Sequence, residues 1–214
     1  MDVASVIKEL FEGFGMSVAI FFATLAISLP LGLVFSFLQR SKVKPISYLM
    51  NIFIWIIRGT PLMLQIMAVF YVPGLLGWST SIKSEFVAVL VAFSINYACY
   101  FSVIYKGGIN SVAKGQYEAC QVLGMTKVQT FKNVVAPQVY KNILAPMSNE
   151  IITLVKDTSL ANIIGLSELI FVGKHMLNNG YIVPFFSTAL FYLAFVGVLT
   201  LLFGYLEKRT KRYS

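Results

Sequence analysis

Two carboxylates and a hydroxyl lie in a stretch of the chain that is long enough to span a membrane and contains other polar residues as well. They belong to Glu150, Thr153 and Asp157, within an apolar run from about 138 to 164. Because an α-helix turns by about 100° per residue, Glu150 and Asp157 lie within about 20° of each other around the helix axis, with Thr153 between them. A helix face of this composition can hold an ammonium group, a cationic side chain or a transported cation.

The same carboxylates have a structural interpretation that stays open. A charge at the centre of a bilayer costs about 2.5 to 3.5 kcal/mol, so these groups should face protein or water. They either line a translocation pathway or are neutralised by Lys156, Arg58 or Lys141. We favour the pathway interpretation, and Asp157 fits the structural one better than Glu150 does.

Arg58 and Asn96 complete the set of residues predicted to line a pathway. Arg58 precedes Gly59 and Pro61, where the missing backbone donor of proline must bend or break a helix. It could bind a substrate carboxylate through two hydrogen bonds, although a structural role at the bend, such as pairing with Glu150, is favoured. Asn96 could line a cavity or, as we favour, form a hydrogen bond between helices.

The composition predicts an all-α integral membrane protein. Of the 214 residues, 57% are hydrophobic and only 12% are charged, against about 25% charged in soluble domains. A helix needs about 20 apolar residues to cross a bilayer. Five segments meet this requirement, at 16–38, 48–71, 86–105, 138–164 and 181–206.

Catalytic and metal-binding chemistry finds little support in the sequence. The chain has two cysteines without CxxC spacing, and His175 is its only histidine. We therefore predict no catalytic residue and no metal site.

Lysine and arginine residues predict the orientation of the five spans. Eleven of them lie in the segments 39–47 and 106–137 and in the carboxyl-terminal tail, against three on the opposite side. The positive-inside rule therefore places the amino terminus outside and the carboxyl terminus in the cytoplasm. This bias also explains the net charge of +8, so no nucleic-acid partner is needed. Residues 1–15 have an apolar stripe at helical spacing, which predicts an amphipathic helix at the outer surface.

The segment 106–137 is predicted to be a cytoplasmic loop with helices of its own. Residues 116–123 form the first, and Gly124 ends it because glycine readily adopts positive φ. Thr126 begins a second helix with Gln129 in a capping-box pattern, and Pro137 ends it. Val122 and Leu123 beside Tyr117 suit either a groove on another protein or packing against the spans.

This segment resembles the EAA loop of ABC importer permeases. The match consists of Glu118-Ala119-Cys120, Gly124 and Ala136-Pro137. Further motifs are similar to the polar amino acid permease family: Arg58-Gly59-Thr60-Pro61-Leu62, Asn96-Tyr97-Ala98, Lys106-Gly107-Gly108-Ile109, Lys114-Gly115-Gln116 and Lys156-Asp157-Thr158-Ser159-Leu160. The chain departs from the family at Cys120 and Ala136, and at Val103, where many relatives have glutamate.

The resemblance implies a type I importer fold in a single permease domain, 1–214. In the family the EAA loop binds a cytoplasmic ATPase subunit, so the predicted coupling residues are Tyr117, Glu118, Ala119, Cys120, Val122, Leu123 and Gly124. It also implies two ATPase subunits, a second permease copy or paralogue and an extracytoplasmic amino-acid-binding protein.

The predicted function is thus a multi-pass permease subunit of the cell membrane that imports polar amino acids by alternating access. The chain lacks the G-x-x-x-x-G-K-[ST] loop, so it is no enzyme and binds no cofactor, and the partner ATPase uses ATP and Mg²⁺. The alternative is an ion-coupled transporter or channel that uses Glu150 and Asp157.

Overall fold

The computed structural model describes residues 3–78 and 84–211, and within these residues the chain forms helices and turns without strands. The α-helices are α1 (Val3–Gln39), α2 (Lys44–Gly59), α3 (Leu62–Leu75), α4 (Glu85–Asn110), α5 (Lys114–Val122), α6 (Lys127–Thr130), α7 (Ala136–Asp157), α8 (Leu169–Asn178) and α9 (Ile182–Lys211). A π-helical turn, Phe131–Val135, joins α6 to α7, and a 3₁₀ helix, Thr158–Ile164, follows α7.

The amino-terminal segment does not form a separate helix. Helix α1 continues unbroken from Val3 to Gln39, which is about 55 Å at 1.5 Å per residue. No proline interrupts the junction, and Gly13 lets α1 approach α8, since a Cβ there would lie 2.9 Å from Cγ2 of Val172. The predicted placement of residues 1–15 at the membrane surface stays a prediction.

The second predicted span consists of two helices at a steep angle. Helices α2 and α3 are bent by 103° at Thr60-Pro61, where both residues have extended backbone. Gln65 bridges the break, since its Nε2 donates to the backbone oxygen of Ile57 and to Oγ1 of Thr60, each at 2.8 Å. The bend expected at Pro61 divides the segment 48–71 into two helices, because proline cannot donate to the helix and keeps Thr60 out of the helical conformation.

The fourth predicted span begins earlier than expected. The helix that begins at Lys127 continues through Pro137, so the prediction that Pro137 ends it was wrong. The π-turn explains this, because it widens the backbone just before Pro137, and the backbone N–H of Ala136 donates to the oxygen of Phe131 five residues back. Helix α8 then turns away by 54°.

The number of membrane crossings depends on how the bent pairs are counted. Among the described residues, α1, α4 and α9 are each long and apolar enough to cross a membrane. The total reaches five if each bent pair is one span. Five spans and their orientation stay a prediction compatible with this upper count.

Helix α4 is the centre of the fold. It packs against α1, α2, α3 and α7, and its buried side chains include Phe93, Tyr97 and Phe101. Gly32 allows α1 to approach closely, because a Cβ there would lie 2.9 Å from Cβ of Phe101 and 3.0 Å from the oxygen of Ala98. Small residues at such crossings are typical of helix packing in membranes.

The substitution Gly32→Ala is expected to destabilise the packing of α1 on α4. The new methyl group would overlap Cβ of Phe101 and the backbone oxygen of Ala98, neither of which moves easily. Overpacking of this kind costs about 1–3 kcal/mol of folding free energy. Thermal unfolding in detergent should therefore occur several degrees lower. Gly15→Ala is the matched control, since a Cβ there has no atom within 4 Å, and equal melting of the two variants would contradict the prediction.

Candidate functional site

A cavity of about 340 Å³ lies where the α2–α3 break meets α4 and α7. We call it the central cavity; it is lined by Thr60, Pro61, Leu62, Asn96, Tyr97, Tyr100, Glu150, Thr153 and Asp157. It brings together four of the five residues predicted to line a pathway. Residues distant in sequence converge here because Pro61 turns the chain toward α4 while α7 packs along the other side of α4.

Of the two carboxylates that line the central cavity, Glu150 is the one without a hydrogen bond to another helix of the described chain. Within residues 3–78 and 84–211, its carboxylate has no hydrogen bond and no ion pair, and it is half-buried. Thr153 lies one helical turn further along α7 on the same face, as predicted. A carboxylate so placed is available to a cationic group that enters the cavity.

Asp157 is held by a tyrosine that the sequence analysis missed. The hydroxyl of Tyr97 donates to Oδ2 of Asp157 at 2.7 Å, and only 2% of Tyr97 is exposed. This bond fixes the carboxylate relative to α4, in line with the structural interpretation of Asp157. The Asn-Tyr pair in the third span was a signal, since buried tyrosine hydroxyls usually have a partner, but its partner is 60 residues away.

Asn96 joins two helices and lines the central cavity as well. Its Nδ2 donates to Oε1 of Gln65 at 3.0 Å, which ties α4 to α3 beside the break. Because Gln65 also bonds the end of α2, Asn96 indirectly sets the angle of the broken pair. The interhelical bond that the sequence favoured is therefore present.

Arg58 lies next to the central cavity but does not line it. Its guanidinium carbon is 4.8 Å from the ring centroid of Tyr100, within the range of a cation–π interaction. In the described part of the chain no ion pair within 4.0 Å joins Arg58 to Glu150 or Lys156 to Asp157. A direct ion pair with Glu150, one of the structural roles left open for Arg58, is therefore not formed, and the guanidinium lies instead over the ring of Tyr100.

The predicted coupling helix is present and is followed by a left-handed glycine. Helix α5 ends at Val122, Gly124 has φ of +68°, and Thr126 and Gln129 form the predicted capping box. Val122 is 88% exposed and Leu123 is 77% exposed. These apolar side chains do not pack against the spans, which favours the predicted contact with another protein.

One predicted coupling residue points inward. Cys120 is buried, so it anchors α5 to the body of the protein, whereas Tyr117, Glu118 and Ala119 are exposed. Beyond the glycine, Val128 and Phe131 are 74% and 57% exposed and were missed. We define the coupling surface as the exposed residues Tyr117, Glu118, Ala119, Val122, Leu123, Gly124, Val128 and Phe131.

The comparison with protein families decides what kind of protein this is. A model described as the binding-protein-dependent transport system inner membrane component matches residues 28–212. The chain belongs to this family. It is therefore a multi-pass permease of the inner membrane, the membrane subunit of an ABC importer and not an enzyme, as predicted.

Relatives of this permease match over most of its length. The arginine transport system permease protein ArtQ of Bacillus subtilis is 33% identical and covers 99% of this chain and 98% of the relative. The L-cystine permease protein TcyB of the same organism is 34% identical, over 86% and 78%. The glutamine permease protein GlnP of Escherichia coli is 31% identical, over 96% and 94%.

Solved structures confirm the fold of the permease. A crystal structure of an amino acid ABC transporter with histidines matches with a TM-score of 0.86 at 29% identity, covering 98% of this chain and 99% of the other. An inward-facing MetNI methionine transporter matches with a TM-score of 0.68 at 16% identity, over 98% and 99%, which supports the fold alone. Membership of the family implies ATPase and substrate-binding partners in general.

Proposed function

We propose that this permease imports polar amino acids through the central cavity. The observation that carries the proposal is the half-buried carboxylate of Glu150, which has no bond to the rest of the described chain and faces a cavity beside a broken helix. Irregular backbone at membrane depth is tolerated where it lines a cavity. The names of the relatives, which transport arginine, cystine and glutamine, support this substrate class.

The four predicted pathway residues that line the central cavity each have a proposed role. Glu150 accepts hydrogen bonds from the ammonium group of the substrate, and Thr153 adds a hydroxyl on the same face. Asp157, oriented by Tyr97, contributes negative charge and fixes α7 against α4. Asn96 maintains the opening at the α2–α3 break through Gln65.

The coupling surface is proposed to bind a cytoplasmic ATPase subunit. An exposed helix with the apolar side chains of Val122 and Leu123 at its end fits a groove on a partner. Two ATPase subunits bind and hydrolyse ATP with Mg²⁺, while this chain binds no nucleotide. The pathway faces outward with ATP bound and inward after its release, with the amino terminus outside and the carboxyl terminus in the cytoplasm.

Further partners complete the proposed importer. The narrow body built around α4 encloses only part of a pathway, so a second copy of this permease or a paralogue supplies the other half. An extracytoplasmic binding protein delivers the amino acid, and lipid surrounds the apolar faces of α1 and α9, which expose residues such as Phe22 and Leu201.

The substitution Glu150→Gln tests the central cavity. Proteoliposomes that contain the permease, its ATPase and its binding protein are assayed for uptake of labelled L-arginine, L-cystine and L-glutamine. Losing a charged hydrogen-bond partner costs about 1.5–3 kcal/mol, so uptake of the transported amino acid should fall about tenfold or more. The matched control is Glu85→Gln, in the first turn of α4, which should behave as wild type.

Three results would contradict this proposal, two of them the function and one the route. In the first, the wild-type transporter takes up each of the three amino acids no faster with ATP than without ATP. The second is uptake driven by an ion gradient in the permease alone and lost in Glu150→Gln, which would support the ion-coupled alternative. Equal uptake by Glu150→Gln and wild type would remove the central cavity from the pathway.

A further inference from the structure

A second polar cavity, of about 400 Å³, lies between α1, α2 and α4. We call it the basic cavity; it is lined by Gln39, Asn51, Ile54, Trp55, Arg58, Val103, Lys106, Gly107 and Asn110. Its charged lining residues are Arg58 and Lys106, and no carboxylate lines it among the residues that the structure describes. A cavity with two cations and no counter-charge favours an anionic group.

A hydrogen-bond network at the wall of the basic cavity holds Lys106 in place. Nζ of Lys106 donates to Oδ1 of Asn51 at 3.1 Å, and Nε2 of Gln39 donates to the same oxygen at 3.0 Å. Nδ2 of Asn51 in turn donates to the backbone oxygen of Ser47 at 2.6 Å. Because an ammonium group has three donors, Lys106 can bind an anion while it keeps its bond to Asn51.

Gln39 closes part of the wall of the basic cavity. Its side chain is only 6% exposed, and its Nε2 donates to Asn51. Its Oε1 is buried, and within residues 3–78 and 84–211 it has no hydrogen-bond partner, so it lies inside the wall and is closed to a ligand. The charged groups that a ligand can reach are therefore Arg58 and Lys106.

We propose that the basic cavity is a second binding site for an amino acid. Arg58 and Lys106 bind the α-carboxylate. Two cations match this group, which every free amino acid carries whatever its side chain. The proposal rests on the proposed function, because it assumes that amino acids reach this part of the pathway.

The two cavities follow each other along α4. Tyr97 and Tyr100 line the central cavity, and Lys106 and Asn110 line the basic one. From Tyr97 to Lys106 the helix rises about 13 Å, toward the coupling surface. Arg58, over the ring of Tyr100, stands at the boundary, so an amino acid that leaves the central cavity in this direction meets the guanidinium first.

Binding stoichiometry tests the second site. The permease with its ATPase, without the binding protein, is reconstituted in nanodiscs of phosphatidylcholine, and equilibrium binding of labelled L-arginine, L-cystine and L-glutamine is measured per permease chain. Wild type should bind two molecules of the transported amino acid, and Lys106→Gln and Glu150→Gln one each. Lys114→Gln, on α5 outside the cavity, is the matched control and should bind two, as should Lys106→Arg, which keeps the cation.

The outcomes separate this site from the proposed function. ATP-driven uptake with one bound molecule per chain, unchanged in Lys106→Gln, would overturn the second site and leave the central cavity intact. Absence of both uptake and binding would overturn both. Loss of the second bound molecule in nanodiscs with phosphatidylglycerol would assign the cavity to an anionic lipid headgroup and overturn the amino-acid site. The melting temperatures of Lys106→Gln and Lys106→Arg are compared as well. If they are equal, unfolding is not the reason for the lost binding in Lys106→Gln.

Discussion

The Gly124→Val permease is expected to lose ATP-driven uptake down to background while it stays folded in the membrane. Gly124 has φ of +68°, a conformation in which a β-branched residue is a genuine outlier. Valine therefore forces the turn between α5 and α6 to rearrange, which displaces Val122 and Leu123 at the end of α5. The fold should survive, because no atom lies within 4 Å of a Cβ at position 124.

The measurement combines uptake with co-purification of the ATPase in mild detergent. Gly124→Val should recover the ATPase poorly, whereas Gly124→Asn should recover it, since asparagine adopts positive φ more readily than other side chains. The control thus separates the backbone conformation from the mere addition of a side chain. Full recovery of ATPase and uptake in Gly124→Val would show that the turn does not hold the coupling surface.

Local signals in the sequence were enough to predict the coupling helix. The end of α5, the left-handed glycine and the capping box of Thr126 each depend on residues within four positions. The same holds for the face shared by Glu150, Thr153 and Asp157, which follows from helical periodicity alone. Short-range geometry was sufficient for these features but not at Pro137, where the π-turn carries the helix past a local stop signal.

Bend angles and the partners of most distant contacts were not predicted, although the hydrogen bond of Asn96 to a neighbouring helix was. Pro61 indicated a break, but the 103° angle depends on how α3 packs against α4. The π-turn before Pro137 has no local signal in the sequence that we can identify. Tyr97 was missed because its partner is 60 residues away, and Ser17 approaches Glu168 across 151 residues. Such pairs are set by tertiary packing, which periodicity does not report.

Glu168 is the most strongly bonded residue that the sequence-based predictions did not include. Its substitution by alanine is expected to destabilise the permease strongly. The side chain has no exposed surface and caps α8, accepting from the backbone N–H groups of Ile170 and Phe171 at 2.9 and 2.8 Å. It also accepts from the hydroxyl of Tyr192 on α9 at 3.1 Å. Losing the cap and leaving a buried hydroxyl without its partner costs about 2–4 kcal/mol.

Ser84→Ala is the control that isolates the interhelical part of this effect. Ser84 also caps a helix, since its hydroxyl accepts from the backbone N–H of Val87, but it is exposed and should cost only about 1 kcal/mol. Thermal unfolding in detergent should therefore occur clearly lower for Glu168→Ala than for Ser84→Ala, with protease cleavage appearing near α8. Similar melting temperatures of the two variants would show that Glu168 contributes no more than a helix cap. We expect a larger effect for Glu168→Ala, because this buried carboxylate also joins α8 to α9 and water cannot replace it there.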